Sequence, residues 1–543
     1  MEAGVILRRW LFSLDHKVVG LQFLLTSALL ALVGGVLAMA LRAELSWPEA
    51  RVLDRDHYSG VVTLHGTLMV FFAVAPALLC GWGHYVVPLL VGARNTAVPL
   101  LNRLAFGGFL VSATLMLASL VAPGGPPPAG WTAIAPLSAL RSAAPGLGAG
   151  QTLWLAAMLP GSLAFAATGL NLSLTVWKCR APGMTAGRLP IVVWAYLVAS
   201  LLALVSQLVL GASCGMLLLD RAGVTSFFLP ETLILSGEVL RSTGGDPLLQ
   251  RALFGFAEQT FAHGLLVLAL GLVLELLPVF TRRPPRSYRG AVAGLWLVGV
   301  LGLASGGKYL PGLGPRAALI SSLLALLPAL PLAGLGVLVV SGLRGLPRPP
   351  DTPLLFALGA LAGACFAALG GLYLAGPVTS GVLEGTFFEL GHLHFFFGGV
   401  LFLAVLAASY YWLPKVTGRK MSETLGRVHF GLTALPLLLL YALMESQGAG
   451  GVPRHVTESR SAPALELAMT GCATLVFAAQ ALFAAGVVWS AVGGEVAGKN
   501  PWKAGTLEWT IASPASRVRR WAYEYRPRAD GSAPDVLSQV DDS

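Results

Sequence analysis

The chain has 543 residues, of which 55% are hydrophobic and only 11% are charged, and its formal net charge is +10. A soluble domain carries roughly 25% charged residues, so this depletion excludes an ordinary soluble protein and indicates a surface that mostly meets lipid. The net charge does not indicate nucleic-acid binding, because the basic residues are concentrated in the loops on one side of the predicted membrane domain.

Apolar stretches long enough to span a membrane, which takes about 20 residues, recur twelve times along the chain. They predict helices near 18–41, 61–82, 103–122, 152–176, 190–218, 252–280, 290–306, 317–343, 354–376, 386–413, 428–446 and 465–492. The seventh is weak, since it ends in Ser305-Gly306-Gly307-Lys308. A closed β-barrel would show short alternating segments, so these long runs predict an all-α bundle of twelve transmembrane helices.

The loops on the N-terminal side hold most of the 36 Lys and Arg residues, among them Lys17, Lys178, Arg282 and Lys420. This positive-inside bias predicts that both termini are cytoplasmic, in a bacterial-type inner membrane, with the first helix as its own insertion signal. We expect one membrane domain over residues 1–492. The segment 493–543 is expected to be a cytoplasmic tail whose last stretch has too little apolar content to fold alone.

Four of the nine histidines lie deep in the predicted spans, namely His65, His263, His392 and His394. Ionisable groups at this depth are costly and mark function by default, although a single buried histidine is equally often a packing residue. Each helical residue turns by about 100°, so His392 and His394 face nearly opposite sides of one helix and cannot share a metal. They could hold two different irons. His65 could supply the opposite ligand of one iron, which would give a low-spin haem suited to electron transfer.

Ordered motifs over nearly the whole chain resemble those of subunit I of the haem-copper oxidases. They are SLDHKVVGLQFL in the first span, LHGTLMVFF in the second, LLLDRAGVTSFF after the fifth, GHLHFFFGGVLF in the tenth, VPRH after the eleventh, and NPW and TLEW near the C-terminus. One such motif alone would be weak evidence, but the ordered set is specific. The tail motifs resemble the proton-pumping aa3-type cytochrome c oxidases.

The resemblance implies a set of haem ligands within residues 1–492. His65 and His394 would hold a low-spin, bis-histidine haem, and His392 would be the proximal ligand of a second, high-spin haem. Arg454 would pair with a haem propionate, since a guanidinium fork suits a carboxylate, and His455 replaces the second arginine of that motif.

The resemblance also implies neighbours for the haems and for the chain. Trp131 resembles a tryptophan that lies near the propionates, although a belt residue at the membrane interface is the alternative. The implied partners are a subunit II that bears copper or a c-type haem, a helical subunit III, and an electron donor such as cytochrome c or quinol. The lipid bilayer surrounds the domain, and no nucleic acid is expected.

The copper ligands of the family are the clearest departure. In the sixth span, the ligand histidine becomes Gln259, a proton-gating glutamate becomes Phe261, and a tyrosine becomes His263. The family's adjacent His-His pair falls at about Ala304 to Gly306, where this chain has no histidine. Copper of this type needs imidazole ligands, so we expect no copper beside the second haem. The non-haem iron of the related nitric oxide reductases fits no better, because histidines hold it as well.

Family residues that carry protons or bind magnesium are replaced too. Asn95 takes the place of an aspartate in the loop after the second span, and the eighth span lacks the expected lysine. Glu384-Gly385 takes the place of a magnesium-binding His-Asp pair. These changes predict that proton pumping is lost.

Glu258, His263 and Glu389 remain near the vacated copper position. His263 lies one helical turn beyond Gln259 and could ligate the second iron or hydrogen-bond inside the old cavity. One hypothesis is a subunit that carries electrons through one or two haems without reducing O2. Another is a working terminal oxidase whose second metal is held by Glu258, Gln259 and His263. A haem-free structural subunit is hard to reconcile with three retained ligands.

Overall fold

The computed structural model describes residues 10–143, 148–235, 237–310, 315–454, 463–515, 523–526 and 536–539. In these ranges, twelve helices are long and apolar enough to cross a membrane. They are α1 His16–Ser46, α2 Arg55–Leu90, α3 Pro99–Leu120, α4 Gly148–Lys178, α5 Ile191–Arg221, α6 Pro247–Thr281, α7 Tyr288–Tyr309, α8 Arg316–Gly342, α9 Thr352–Ala375, α10 Phe387–Thr417, α11 Glu423–Ala449 and α12 Pro463–Gly493. The predicted all-α bundle of twelve spans is confirmed.

The helix ends follow from capping chemistry and from breaks in the apolar pattern. Asp15 caps α1 by accepting from the Lys17 backbone N–H, and Asp54 caps α2 by accepting from that of His57. The weak seventh span is a helix to Ser305 that tightens into a 3₁₀ turn over Gly306–Tyr309. The glycine pair therefore changes the helix type at the end of α7 without ending the span.

The helices differ in how much of their surface faces the protein interior. In the most apolar stretch of each helix, 83% of the residues of α6, 78% of α2 and 72% of α5 are buried, against 17% for α1, α8 and α12. Because a lipid-facing helix needs only an apolar surface, the exposed helices carry large hydrophobic side chains outward. The inner helices α2 and α6, together with the half-buried α10, carry the four deep histidines.

Two of these helices contain π-helical stretches just after a histidine. In α2 they cover Leu68–Val74 and Pro76–Trp82, and in α10 one covers Phe395–Phe402. A π-helical turn holds more residues than an α-helical turn and is found frequently at functional sites. The two helices that carry His65 and His394 therefore depart from α-helical geometry next to the same pair of rings.

Within the described ranges, two short antiparallel strand pairs lie outside the helices. One pairs β1 Thr232–Leu235 with β2 Glu238–Arg241 between α5 and α6, and the other pairs β3 Tyr523–Arg526 with β4 Val536–Gln539. We refer to the end of the bundle where α12 ends as the tail end, and to the opposite end as the far end.

The start of the predicted tail packs on the tail end of the bundle. Trp509 is buried, and its indole N–H donates to the Tyr411 hydroxyl over 3.0 Å. The Trp502 indole donates to the Tyr411 carbonyl over 2.9 Å, and the Lys415 ammonium donates to the Ile511 carbonyl over 2.9 Å. The chain after α12 thus returns to cover the end of α10.

Candidate haem site

His65 on α2 and His394 on α10 face each other across the bundle. Their ring centres lie 6.2 Å apart and their planes differ by 18°. His65 Nδ1 is 2.9 Å from the Gly34 carbonyl of α1, and His394 Nδ1 is 2.8 Å from the Leu390 carbonyl of its own helix. A backbone carbonyl can only accept, so each Nδ1 carries the proton and each Nε2 keeps its lone pair. These second contacts fix both the tautomer and the ring orientation.

The spacing of the two rings fits a metal between them. An iron bonded at about 2 Å to both Nε2 atoms would hold the two ring centres roughly 6 Å apart, close to the observed 6.2 Å. The Tyr441 ring of α11 packs against His394 with centres 5.2 Å apart. A haem held by His65 and His394 would supply one-electron redox chemistry, so this geometry suits electron transfer.

His392 lies on another side of α10 and does not join this pair. Its ring packs on α9, where an added Cβ at Gly371 would come within 3.3 Å of the His392 Cε1 atom. The neighbouring Gly370 leaves similar room beside the Nδ1 atom. Within the described residues, His392 Nδ1 is buried without a hydrogen-bond partner. The two histidines that the sequence placed on opposite sides of one helix thus have separate surroundings.

His263 hydrogen-bonds within its own helix. Its Nδ1 lies 2.8 Å from the Gln259 carbonyl, which leaves Nε2 as the free ring nitrogen. The ring packs closely on Gly302 of α7, where an added Cβ would come within 2.4 Å of the ring Cγ. The sequence left two roles open for His263, ligation of an iron and hydrogen bonding. The contact that the structure shows is a hydrogen bond. Among the described residues, no three His, Cys, Asp or Glu side chains converge to form a metal site.

Arg454 pairs with a side chain that the sequence did not assign to it. Its Nη1 lies 2.8 Å from Glu389 Oε1, and both side chains are about a quarter exposed, at 28% and 24%. Glu389 Oε2 accepts from the Gly385 backbone N–H over 2.7 Å. Burial and the neighbouring Glu389 charge raise the pKa of Glu384 above its ordinary value. His455, the residue after Arg454, lies outside the described residues.

Trp131 lies in an aromatic cluster inside the far end of the bundle. Its ring makes edge contacts with Phe254 of α6 and Phe397 of α10, with centres 6.2 Å and 6.0 Å apart, and a tilted contact with Phe71 of α2. These partners come from the three helices that carry the deep histidines. This packing favours a place beside the site over one in an outward-facing belt.

Lys308 is a site residue that sequence reasoning missed. It lies two residues beyond the Ala304–Gly306 stretch, within electrostatic range of Glu258, Glu384 and Glu389. Its ammonium sits 4.9 Å from the centre of the Tyr309 ring. The signal was available, because a lysine at the end of a weak span is costly in a membrane unless a partner stabilises it.

Comparisons with known proteins agree with this architecture. A family model described as cytochrome C and quinol oxidase polypeptide I matches residues 18–496. The chain is 34% identical to the alternative cytochrome c oxidase subunit 1 of Bradyrhizobium diazoefficiens, over 98% of this chain and 93% of that protein. It is 33% identical to cytochrome c oxidase subunit 1 of Bacillus subtilis, over 94% of this chain and 80% of that protein.

A solved structure shows the same fold. A haem-copper terminal oxidase, studied as a dimer by cryo-EM, matches with a TM-score of 0.71 at 16% sequence identity, covering 93% of this chain and 88% of that one. Because the family model spans most of the chain, this integral membrane protein belongs to the cytochrome c and quinol oxidase subunit I family, whose members bind haem in respiratory complexes.

Proposed function

We propose that this subunit carries electrons within its respiratory complex through a low-spin haem held by His65 and His394. The facing pair of rings is the observation that supports this role, because both Nδ1 atoms have carbonyl partners and, among the described residues, neither Nε2 atom has a hydrogen bond. The haem supplies one-electron redox chemistry when bound. The chain supplies the two ring nitrogens, holds their orientation through backbone carbonyls, and excludes water with the surrounding apolar side chains.

A second haem is proposed on His392. The room at Gly370 and Gly371 supports this assignment, since a side chain there would meet the imidazole. We propose that Arg454 and Trp131 lie near haem propionates, and that Glu389 holds the Arg454 guanidinium when no propionate does. His455 is proposed to share this role from its place beside Arg454. His263, with its free Nε2, is proposed to border the same cavity.

We further propose that this subunit holds no copper and does not reduce O2 or pump protons by itself. The identities of Gln259 and of the Ala304–Gly306 stretch support this, because neither offers an imidazole. Asn95 stands where the family has an aspartate, so one proton-carrying group of the family is absent from that position.

The rival proposal is an active terminal oxidase with an unconventional second metal at Glu258, Gln259 and His263. It draws support from the relatives named cytochrome c oxidase subunit 1, which align over nearly the whole chain. Either proposal takes a subunit II-like and a subunit III-like partner and a donor such as cytochrome c or quinol. Both also place the two termini in the cytoplasm, at a bacterial inner membrane.

Haem and metal analysis of the purified complex, after removal of any subunit II, tests these proposals. We expect two haems, no stoichiometric copper, and a dithionite-reduced spectrum with one low-spin component. His394→Ala should abolish the low-spin component, whereas His392→Ala should release only the second haem. His84→Ala is the matched control, because His84 is also buried and its Nδ1 also lies near the carbonyl four residues earlier.

Three results would count against the proposals. An unaltered low-spin spectrum in His394→Ala would refute the assignment of the first haem. A single haem per chain would refute the second site. One copper per chain, or O2 reduction that His392→Ala abolishes in a complex with no other oxidase, would favour the active oxidase.

A further inference from the structure

Two buried polar atoms near the second proposed haem site have no hydrogen-bond partner within the described residues. One is His392 Nδ1 on α10, and the other is Glu445 Oε1 near the far end of α11. A carboxylate inside a membrane protein is costly unless something pairs with it, and such groups usually mark function. An orphaned imidazole nitrogen and an orphaned carboxylate oxygen are complementary, since one donates and the other accepts.

Both atoms lie against one small residue of the neighbouring helix. A Cβ added at Gly370 of α9 would come within 2.6 Å of Glu445 Oε1 and within 3.1 Å of His392 Nδ1. The stem of Glu445 also rests on the residue before His392, because a Cβ at Gly391 would come within 2.7 Å of Glu445 Cγ. Glycines on α9 and α10 thus leave room for the Glu445 side chain beside the His392 ring.

We infer that Glu445 is a positioning residue for His392, whose Nδ1–H donates a hydrogen bond to the Glu445 carboxylate. This inference rests on the proposal that His392 holds the second haem. With Nδ1 as donor, Nε2 keeps its lone pair. A carboxylate partner also raises the basicity of a ligating imidazole, so His392 would be a stronger donor than His394, whose partner is a neutral carbonyl.

A backbone group is the competing partner. The Ala367 carbonyl of α9 lies near enough to His392 to be an alternative hydrogen-bond acceptor for its ring. A carbonyl would fix the same tautomer as the carboxylate but would carry no charge. The two partners therefore predict different electronic properties for an iron bound to Nε2, since second-shell hydrogen bonds tune potential and ligand strength.

Glu445→Gln in the purified holo complex separates the two partners, because it keeps the side-chain size and removes the charge. We expect a lower iron–histidine stretching frequency in the reduced, five-coordinate second haem, by resonance Raman. We also expect a more positive midpoint potential of that haem, since a weaker donor stabilises the oxidised iron less, and a loss of its affinity of about 10-fold. The potential reports the effect even if the iron is six-coordinate. The potential of the low-spin haem should stay unchanged and serves as the internal reference.

Glu384→Gln is the matched control, because it removes a carboxylate at the same end of the bundle, between α9 and α10. It should leave the stretching frequency unchanged. If Glu445→Gln gives no folded complex, Gly370→Ala keeps the carboxylate and places a methyl group beside both atoms, and the same shifts are expected.

Two outcomes would overturn the inference, and they are distinguishable. If two haems are present and Glu445→Gln changes neither the stretching frequency nor the potential of the second, the Ala367 carbonyl is the partner and the proposed function stands. If the wild-type complex contains one haem per chain, the second haem site fails and the inference fails with it.

Discussion

A buried ion pair joins α1 and α12 at the far end of the bundle, and a glutamine of α11 extends it. Arg42 Nη2 lies 2.6 Å from Glu466 Oε2, and the two side chains are only 6% and 3% exposed. Arg42 also donates to the Glu466 carbonyl over 2.8 Å and to Thr470 over 3.2 Å. Gln447 of α11 donates to the other Glu466 oxygen over 2.7 Å. Three helices therefore share one charged network.

We expect Arg42→Met to lower the free energy of unfolding by about 3 kcal/mol, because it removes the ion pair between Arg42 and the buried Glu466 carboxylate. The value lies at the low end of the range for buried pairs, since Gln447 still donates to that carboxylate. Glu466→Met should cost a similar amount for the same reason. The double variant leaves no unpaired charge, so it should cost less than either single one.

The assay is unfolding of the purified complex in mixed micelles titrated with SDS, followed by circular dichroism. The control is Glu495→Gln, which breaks the exposed pair with Lys420, 3.7 Å apart and 77% exposed on the Glu495 side. An exposed pair contributes about 1 kcal/mol or less, so this variant should be nearly neutral. The reasoning fails if Arg42→Met is as mild as the control, or if the double variant costs the sum of the two single ones.

Three further outcomes are expected. Burial raises the pKa of Glu508 from its ordinary 4.5 to about 7, so the free energy of unfolding should fall as the pH rises through that range. Glu508→Gln should therefore raise the free energy of unfolding by roughly 3 kcal/mol at pH about 8 and leave it almost unchanged at pH about 4, as measured by thermal unfolding. An equal gain at both pH values would contradict this. Gly363→Ala should cost about 1–3 kcal/mol, because the new Cβ would lie 2.3 Å from the Gly399 carbonyl and push α9 from the π-helical stretch of α10. A stability equal to wild type would show that the two helices do not touch there. His65→Ala should remove the low-spin haem spectrum and leave the Gly34 carbonyl without its donor, whereas retention of that spectrum would rule out His65 as a ligand.

Sequence patterns predicted the spans because each span needs about 20 apolar residues whatever its neighbours are. They also placed His392 and His394 on different sides of α10, since the helix keeps the α-helical rotation of about 100° per residue as far as His394. The π-helical stretch Phe395–Phe402 was not predicted, because the choice of helix type there depends on packing against α9 and α11. Apolar periodicity does not distinguish the two types over eight residues.

Contacts between distant segments could not be read from the sequence. Arg454 and Glu389 meet because the chain after α11 pairs with the start of α10, through the backbone bridge between Thr386 and Pro453. The packing of Trp502 and Trp509 likewise depends on Tyr411 of α10, which accepts a hydrogen bond from each indole. In such cases, the sequence shows which groups need partners, and only the fold shows which partners they have.

The polar groups next to the two proposed haem sites differ in whether they have hydrogen-bond partners. At the first site, the Nδ1 atoms of His65 and His394 both have backbone carbonyl partners. On the side of α6 and α9, His392 Nδ1 and the Thr260 hydroxyl are buried without partners among the described residues. Buried polar groups are normally paired, so a bound group, or a nearby carboxylate such as Glu445, would complete the surroundings of His392. The Nδ1 contacts of His65 and His394 are complete, which fits our proposal that this chain carries electrons through a low-spin haem.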